Sequence, residues 1–447
     1  MDNKFESKST LRLILAMGLP PILSMLIQSM YSIIDAWYVA KVSEEAFNAV
    51  SLVYPLQTII LSIAVGLGVA INGAIARSLG KKNKDKAEEF TILGIMLTFI
   101  HYAFIVVMAF IVINPFIKYN ATSETAQMAK DYINIVSYCS IGILFHLTFE
   151  KILQGNGNMI VPTIAQIIGC ILNIILDHIF VLVLGYGVVG AATATVISQC
   201  TSGGMLALYV IFNKKYTVSL KKLSFSKENL NEIYKVCLPA TIMMCLPSLL
   251  TMGLNSILTK IDTIYVTVLN LYLKVQTFVF MPIVGLLQGL RPIVGYYYGA
   301  NKPKKLKESL SISFIIISIV MVIGGILFTV VPSTLIKIFF DSPEIIEHGE
   351  KAFRIFAVSF IFVGVSYLFN TFYESIGYGV VSLVINLSRQ FVITIILTLL
   401  FVYVLGFGAV GVWYAIIIAE IFTGILVALM FLHTYKNTNI FIEKSLD

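Results

Sequence analysis

The sequence predicts an all-α polytopic membrane protein of twelve transmembrane helices, arranged as two six-helix lobes related by a pseudo-twofold axis along the membrane normal. Three observations predict it. Hydrophobic residues make up 58% of the chain and charged residues 12%, roughly half the charge of a soluble protein. The apolar residues gather into runs of about twenty or more, enough to cross a hydrocarbon core of roughly 30 Å. The two halves also repeat. A shift of 219 sets Pro20 on Pro239, Gln57 on Gln276, Gly66 on Gly285 and Gly80 on Gly299. A shift of 221 sets Gly185-Tyr186-Gly187-Val188-Val189-Gly190 on Gly406-Phe407-Gly408-Ala409-Val410-Gly411.

Taken in order, the runs fall at about 13–39, 50–76, 90–113, 132–153, 160–184 and 188–212, then at 236–260, 265–295, 309–331, 353–376, 382–404 and 409–433. The first follows a short polar, Lys-containing lead. It reads as a retained helix, because it carries Asp35 and two prolines and no small-x-small cleavage pattern follows. Six spans complete an N-terminal lobe over 1–212, a basic stretch at 213–235 links the lobes, and six more form a C-terminal lobe over 236–447. Six is even, so both lobes insert the same way up and leave a cavity between them.

The loops carry the net charge of +7. Lys4/Lys8/Arg12, Arg77–Lys86, Lys214–Lys227, Lys302–Lys307 and the tail with Lys436 and Lys444 all fall on one side when twelve spans alternate. The positive-inside rule makes that side the cytoplasm, with both termini inside a plasma (inner) membrane. These charges read as topology determinants, so no nucleic-acid partner is expected. The five cysteines lie in apolar spans and show no metal-pair spacing. No paired catalytic motif appears, so neither an enzyme nor a bound cofactor is expected.

Function is carried by polar residues at membrane depth, which are costly and usually face a pathway. In the first span Pro20, Ser24, Gln28, Tyr31 and Asp35 recur at steps of four, four, three and four, one helical face. In the fifth, Asn173 and Asp177 share a face with Gln166 and Cys170. The second lobe lacks both stripes: Met243, Pro247, Leu250 and Leu254 stand in the first, Thr394 and Thr398 in the second, and Ile416 replaces Thr195. At 1.5 Å per residue, Asp35 lies about 33 Å and Asp177 about 26 Å from the inner ends of their spans. Thr195 lies about 10 Å below the outer end of the sixth. All three reach the outer half of the bilayer. Their oxygens suit a hard cation such as Na⁺, and they equally suit a carboxyl pair sharing one proton. The bland alternative is that each Asp bonds a neighbouring helix end for stability alone.

Other polar groups are secondary. His178 points about 100° away from Asp177 and reads as a packing histidine, as do His101 and His146. Glu150, Lys151 and Glu374 sit at inner span ends and can snorkel. Arg389 either snorkels or closes the cavity, and Lys274 lies near an outer end. Glu420, the only deep acid of the second lobe, could line the cavity and attract cationic substrates. The aromatics and methionines serve either packing or a soft-walled cavity for organic cations.

Several motifs carry a resemblance. The first span reads Leu19-Pro20 … Gln28 … Tyr31 … Asp35 … Val39, and the fourth ends Gln154-Gly155-Asn156-Gly157-Asn158. The eighth ends Pro282 … Gly285 … Gln288-Gly289 … Pro292-Ile293-Val294-Gly295-Tyr296 … Tyr298-Gly299-Ala300. Together they resemble the multidrug and toxic compound extrusion (MATE) family, in its DinF/MepA-like branch, over nearly the whole chain. The resemblance implies export of small organic cations or drugs by antiport against Na⁺ or H⁺. It also implies a cation site at Asp35, Asn173, Asp177 and Thr195, with Gln28 and Tyr31 nearby. The NorM-like branch uses acids in the seventh and tenth spans. Here the seventh has none within it and the tenth only Glu374 at its inner end, so no second cation site is carried over. The expected cycle is alternating access, with the first span bending at Pro20–Pro21, in a monomer surrounded by membrane lipid. The rival expectation is a lipid-intermediate flippase of the same superfamily.

Overall fold

Local chemistry starts and stops the helices. Ser43 accepts from the Ala46 N–H, Asn83 from Lys86, Ser226 from Asn229 and Asp262 from Ile264, satisfying orphan donors at four helix starts. In a computed structural model, which describes residues 5, 9–213, 223–437 and 440, no strand occurs among the described residues. Lys4, Lys8, Lys444 and residues 214–222 of the expected linker lie outside them.

The N-terminal lobe comprises α1 (Thr10–Val42), α2 (Glu44–Gly80), α3 (Lys84–Asn120), α4 (Ala126–Tyr138), α5 (Ile141–Gly155), α6 (Ile160–Asp177) and α7 (Gly187–Phe212). The C-terminal lobe comprises α8 (Lys227–Thr259), α9 (Thr263–Gly299), α10 (Pro303–Val330), the short α11 (Pro332–Lys337), α12 (Pro343–Ala357), α13 (Phe360–Ile376), α14 (Gly379–Leu387), α15 (Thr394–Leu399) and α16 (Gly408–Asn437). Ten spans are long and apolar enough to cross a membrane, and two bent pairs raise the number to twelve. The fourth and tenth spans are the bent ones: α4 meets α5 at 43° and α12 meets α13 at 51°. Both begin further out than the hydropathy limits suggest, because their polar first halves (α4, α12) dilute the apolar signal.

The repeat extends to backbone detail. Gly185 and Gly187 have φ of 68° and 54°, and Gly406 and Gly408 have 70° and 58°. These left-handed turns reject a Cβ and explain the recurring Gly-x-Gly. The fifth span finishes as a π-helical turn over His178–Val183, and its counterpart finishes the same way over Leu400–Val404. A further π turn, Ser388–Ile393, has no partner in the first lobe, where α6 continues as α-helix.

Glycine marks where the lobes touch. A Cβ on Gly66 would strike Thr241 and Cys237 of α8, and one on Gly285 would strike the backbone of Ile22. Likewise Gly80 packs on the Tyr296 backbone and Gly299 on the Arg77 backbone. Shifting by 219 converts each contact into its mate, the reciprocity a twofold axis requires. All these contacts lie in the half that carries the chain termini. There α2 is buried almost continuously from Ser62 to Gly80, whereas α1 has no buried residue between Pro21 and Tyr38. The lobes are therefore sealed at that end and part toward the other. The aromatics pack the C-terminal lobe: Tyr272 stacks on Phe356 at 3.9 Å and Phe328 on Phe353 at 5.0 Å, with Trp413 edge-on to Phe356.

Candidate functional site: a carboxyl pair in the N-terminal lobe

α6 presents Gln166, Cys170, Asn173 and Asp177 on one face, since steps of four, three and four follow the helical period. Asp177 is the last residue before the helix widens into its π turn, a distortion that recurs at functional sites. The side chain of Asp177 is fully buried, and Asn173 and Thr195 are buried beside it. α1 brings Asp35, half-buried, against this face.

The hydrogen bonds define the arrangement. With its amide nitrogen turned to the acid, Asn173 donates to Oδ2 of Asp177 at 2.9 Å. The other end of the amide accepts from the Thr195 backbone N–H at 3.2 Å and lies 3.5 Å from Thr195 Oγ1. The carboxyl groups of Asp35 and Asp177 meet within hydrogen-bonding range of each other. Oδ1 of each is shut off from solvent and has no nitrogen or hydroxyl partner. Two carboxylates this close, each with one oxygen cut off from solvent, repel each other when both are charged, and a proton or cation between them relieves that. Asn173 turns its amide N–H to Asp177 and its oxygen to the Thr195 backbone, so its nitrogen faces the carboxyl pair.

Tyr31 and Tyr132 wall the site, each close enough to feel the charge of both acids. The Gln57 Nε2 donates to the Tyr132 hydroxyl at 2.8 Å. Tyr132 and Gln57 are absent from the sequence-derived site. The signal that finds them is depth, since both lie toward the outer ends of their spans, level with Asp35. Gln28 is half-buried two turns below Asp35 on the same face of α1. Pro20 and Pro21 sit inside an unbroken helix.

Other sequence expectations need correction. Glu420 is not a bare acid in the cavity: Arg389 Nη1 reaches its two carboxylate oxygens at 2.9 and 2.7 Å. Arg389 does not snorkel. It is buried, and its Nη2 donates to Asn386 Oδ1 at 3.2 Å. Nor do Glu150, Lys151 and Glu374 reach out to headgroups. Lys151 is 4% exposed and donates to Glu150, Gln154 and, across the lobes, Gln288, each at 3.0 Å. Glu374 accepts from Arg291 at 2.7 Å. Lys151 finds Glu150 on its own helix and Gln288 across the lobes, and Arg291 finds Glu374 on a facing helix, pairings that hydropathy does not reveal. Lys274 is exposed, and His178 stands edge-on to Tyr38. Tyr234 meets His101 at 3.2 Å, and His146 lies buried 3.8 Å from Glu150.

A repeated helical membrane fold, sealed at one end and holding a buried carboxyl pair, defines a transporter rather than an enzyme. The MatE family model matches residues 20–179 and again 239–400, more than half of the chain, and the chain belongs to that family. The multidrug export protein MepA of Staphylococcus haemolyticus (strain JCSC1435) is 23% identical over 426 residues, covering 93% of this chain and 92% of that protein. A crystal structure of a MATE protein in complex with MaL6 superposes with a TM-score of 0.92 at 24% identity, covering 97% and 99% of the two chains. An outward-facing multidrug resistance MATE transporter of the MOP superfamily superposes at 0.91 with 25% identity, covering 96% and 98%.

Proposed function

We propose that the protein exports small organic cations or drugs, driven by Na⁺ or H⁺ entering through the Asp35–Asp177 site. The observation that carries this reading is the carboxyl pair itself, with two Oδ1 atoms buried and undonated. Such a pair changes its net charge by one when a cation or proton enters, and that change is what coupling needs. The similar MepA proteins are named multidrug export proteins, which supports drugs as the cargo.

In this reading the sealed end is cytoplasmic, which the basic loops on that side support, and the structure is the outward-open state of a monomer in the plasma membrane. A cation arriving from outside neutralises the pair, α1 repacks or bends at Pro20–Pro21, and bound substrate is expelled. Pro20 and Pro21 leave the Ala16 and Met17 carbonyls without helical donors, so bending costs least there. Substrate entering from the inside then requires the sealed face to open. The test is resistance of drug-sensitive cells expressing Asp35→Asn or Asp177→Asn. Both variants are expected to insert at wild-type levels and to confer no resistance. Full resistance from both would remove the carboxyl pair from the mechanism.

A further inference from the structure

The sealed face carries two side chains that cross between helix ends and fill matching sockets. Arg77, near the end of α2, is 6% exposed although it is a cation. Its Nη1 donates to the Ser375 carbonyl at 2.8 Å and its Nη2 to Glu232 at 2.8 Å, both in the opposite lobe. Ser375 lies in the last turn of α13, whose unpaired carbonyls form the negative end of the helix dipole. The socket is completed by Gly377, at φ 94°, where a Cβ would stand 3.5 Å from the guanidinium carbon.

The twin socket lies 220 residues earlier, at Gly157 with φ 77°. There a Cβ would come within 3.1 Å of the Phe5 ring. Tyr296, the residue that the 219 shift sets on Arg77, stacks on Phe5 with ring centroids 4.4 Å apart and planes 12° apart. The Tyr297 hydroxyl donates to the Phe5 carbonyl at 2.9 Å. Phe5 is 7% exposed. One socket is thus filled by a guanidinium reaching from the N-terminal into the C-terminal lobe. The other is filled by an aromatic ring held between the Gly157 turn of the first lobe and α9 of the second.

We infer that Arg77 and Phe5 are paired pins that hold this face shut and so set how often the two lobes exchange between outward- and inward-open states. Opening the face withdraws Arg77 from Ser375 and Glu232 and peels Phe5 from Tyr296. Each pin therefore contributes only to the sealed state, the differential contact a two-state equilibrium responds to. Losing charge-assisted bonds at Arg77 raises the opened population roughly tenfold or more. Losing the ring stack at Phe5 raises it about threefold.

The inference rests on the exporter reading only in that the lobes must part at this face. Efflux by the wild type tests that reading and amide exchange in pin variants tests the pins, so the two can fail separately. Wild type, Phe5→Ala and Arg77→Gln are compared in nanodiscs of phosphatidylethanolamine and phosphatidylglycerol by hydrogen–deuterium exchange. Faster exchange is expected in peptides covering 66–80 and 285–299, with no change over 44–53 at the open end. Phe5 lies ahead of the first span, so its replacement leaves insertion intact. If Arg77→Gln does not fold, Glu232→Gln removes the ionic partner at a half-exposed position and carries the same expectation. Unchanged exchange at the sealed face in either variant overturns the role of that pin, and a rise at both ends overturns the inference as a whole.

Discussion

Removing one member of the Arg389–Glu420 pair should unfold the C-terminal lobe earlier than removing both. The guanidinium side chain is 5% and the carboxylate 18% exposed. Arg389 Nη1 lies 2.7 and 2.9 Å from the two oxygens, and its backbone sits on the unmatched π turn, where Thr394 donates back to the Arg389 carbonyl at 2.7 Å. Breaking a buried pair leaves an uncompensated charge, a cost of about 3–5 kcal/mol. A glutamine at 420 restores one hydrogen bond of about 1 kcal/mol, so Glu420→Gln is expected to cost about 2–4 kcal/mol. The double change Arg389→Met with Glu420→Leu removes both charges and is expected to fall within about 1 kcal/mol of wild type. Trp413 offers the reporter: it lies two turns from Glu420 on α16 and is 2% exposed. Its fluorescence in a Trp37→Phe background would follow thermal unfolding in detergent. A Glu420→Gln protein as stable as wild type, or a double variant as unstable as the single one, would refute the buried-pair reasoning.

Three further outcomes are expected. Asn173→Leu removes the donor to Asp177 and should lower ion-driven efflux at least tenfold while leaving membrane abundance unchanged on immunoblots. Gly285→Val drives a side chain into the Ile22 backbone and should keep the lobes apart at the sealed face, seen as faster amide exchange over 285–299 together with lost resistance. Pro20→Ala gives the Ala16 carbonyl a donor and stiffens α1. Turnover is then expected to fall with the ion concentration for half-maximal efflux unchanged, measured from initial rates in vesicles.

Much of this architecture is readable in the sequence because membrane depth and helical period are simple constraints. Run lengths give the spans, the 219–221 shift gives the twofold, and rise per residue places Asp35, Asp177 and Thr195 in the outer half of the bilayer; in the structure Asn173 links Asp177 to Thr195. What hydropathy does not carry is azimuth and partner. Arg389 and Glu420 lie on different spans, and nothing in either span marks one as the other's counter-ion. Lys151 has the composition of a snorkelling lysine, yet it faces Gln288 because that end of its helix is covered by the other lobe. Arg77 counts as a loop charge in topology, although the protein buries it against the end of α13. The π turns follow from no local motif: Ser388–Ile393 winds wide where the repeat-related stretch of α6 does not.

The proposed coupling of ion entry to export lies in the Asp35–Asp177 pair. It is tested most directly in everted vesicles loaded with a fluorescent organic cation, by imposing a Na⁺ jump and a pH jump separately on wild type, Asp35→Asn and Asp177→Asn. One of the two jumps is expected to drive transport in the wild type, and neither to do so in either variant. Ion-driven transport of wild-type rate in both variants would contradict it.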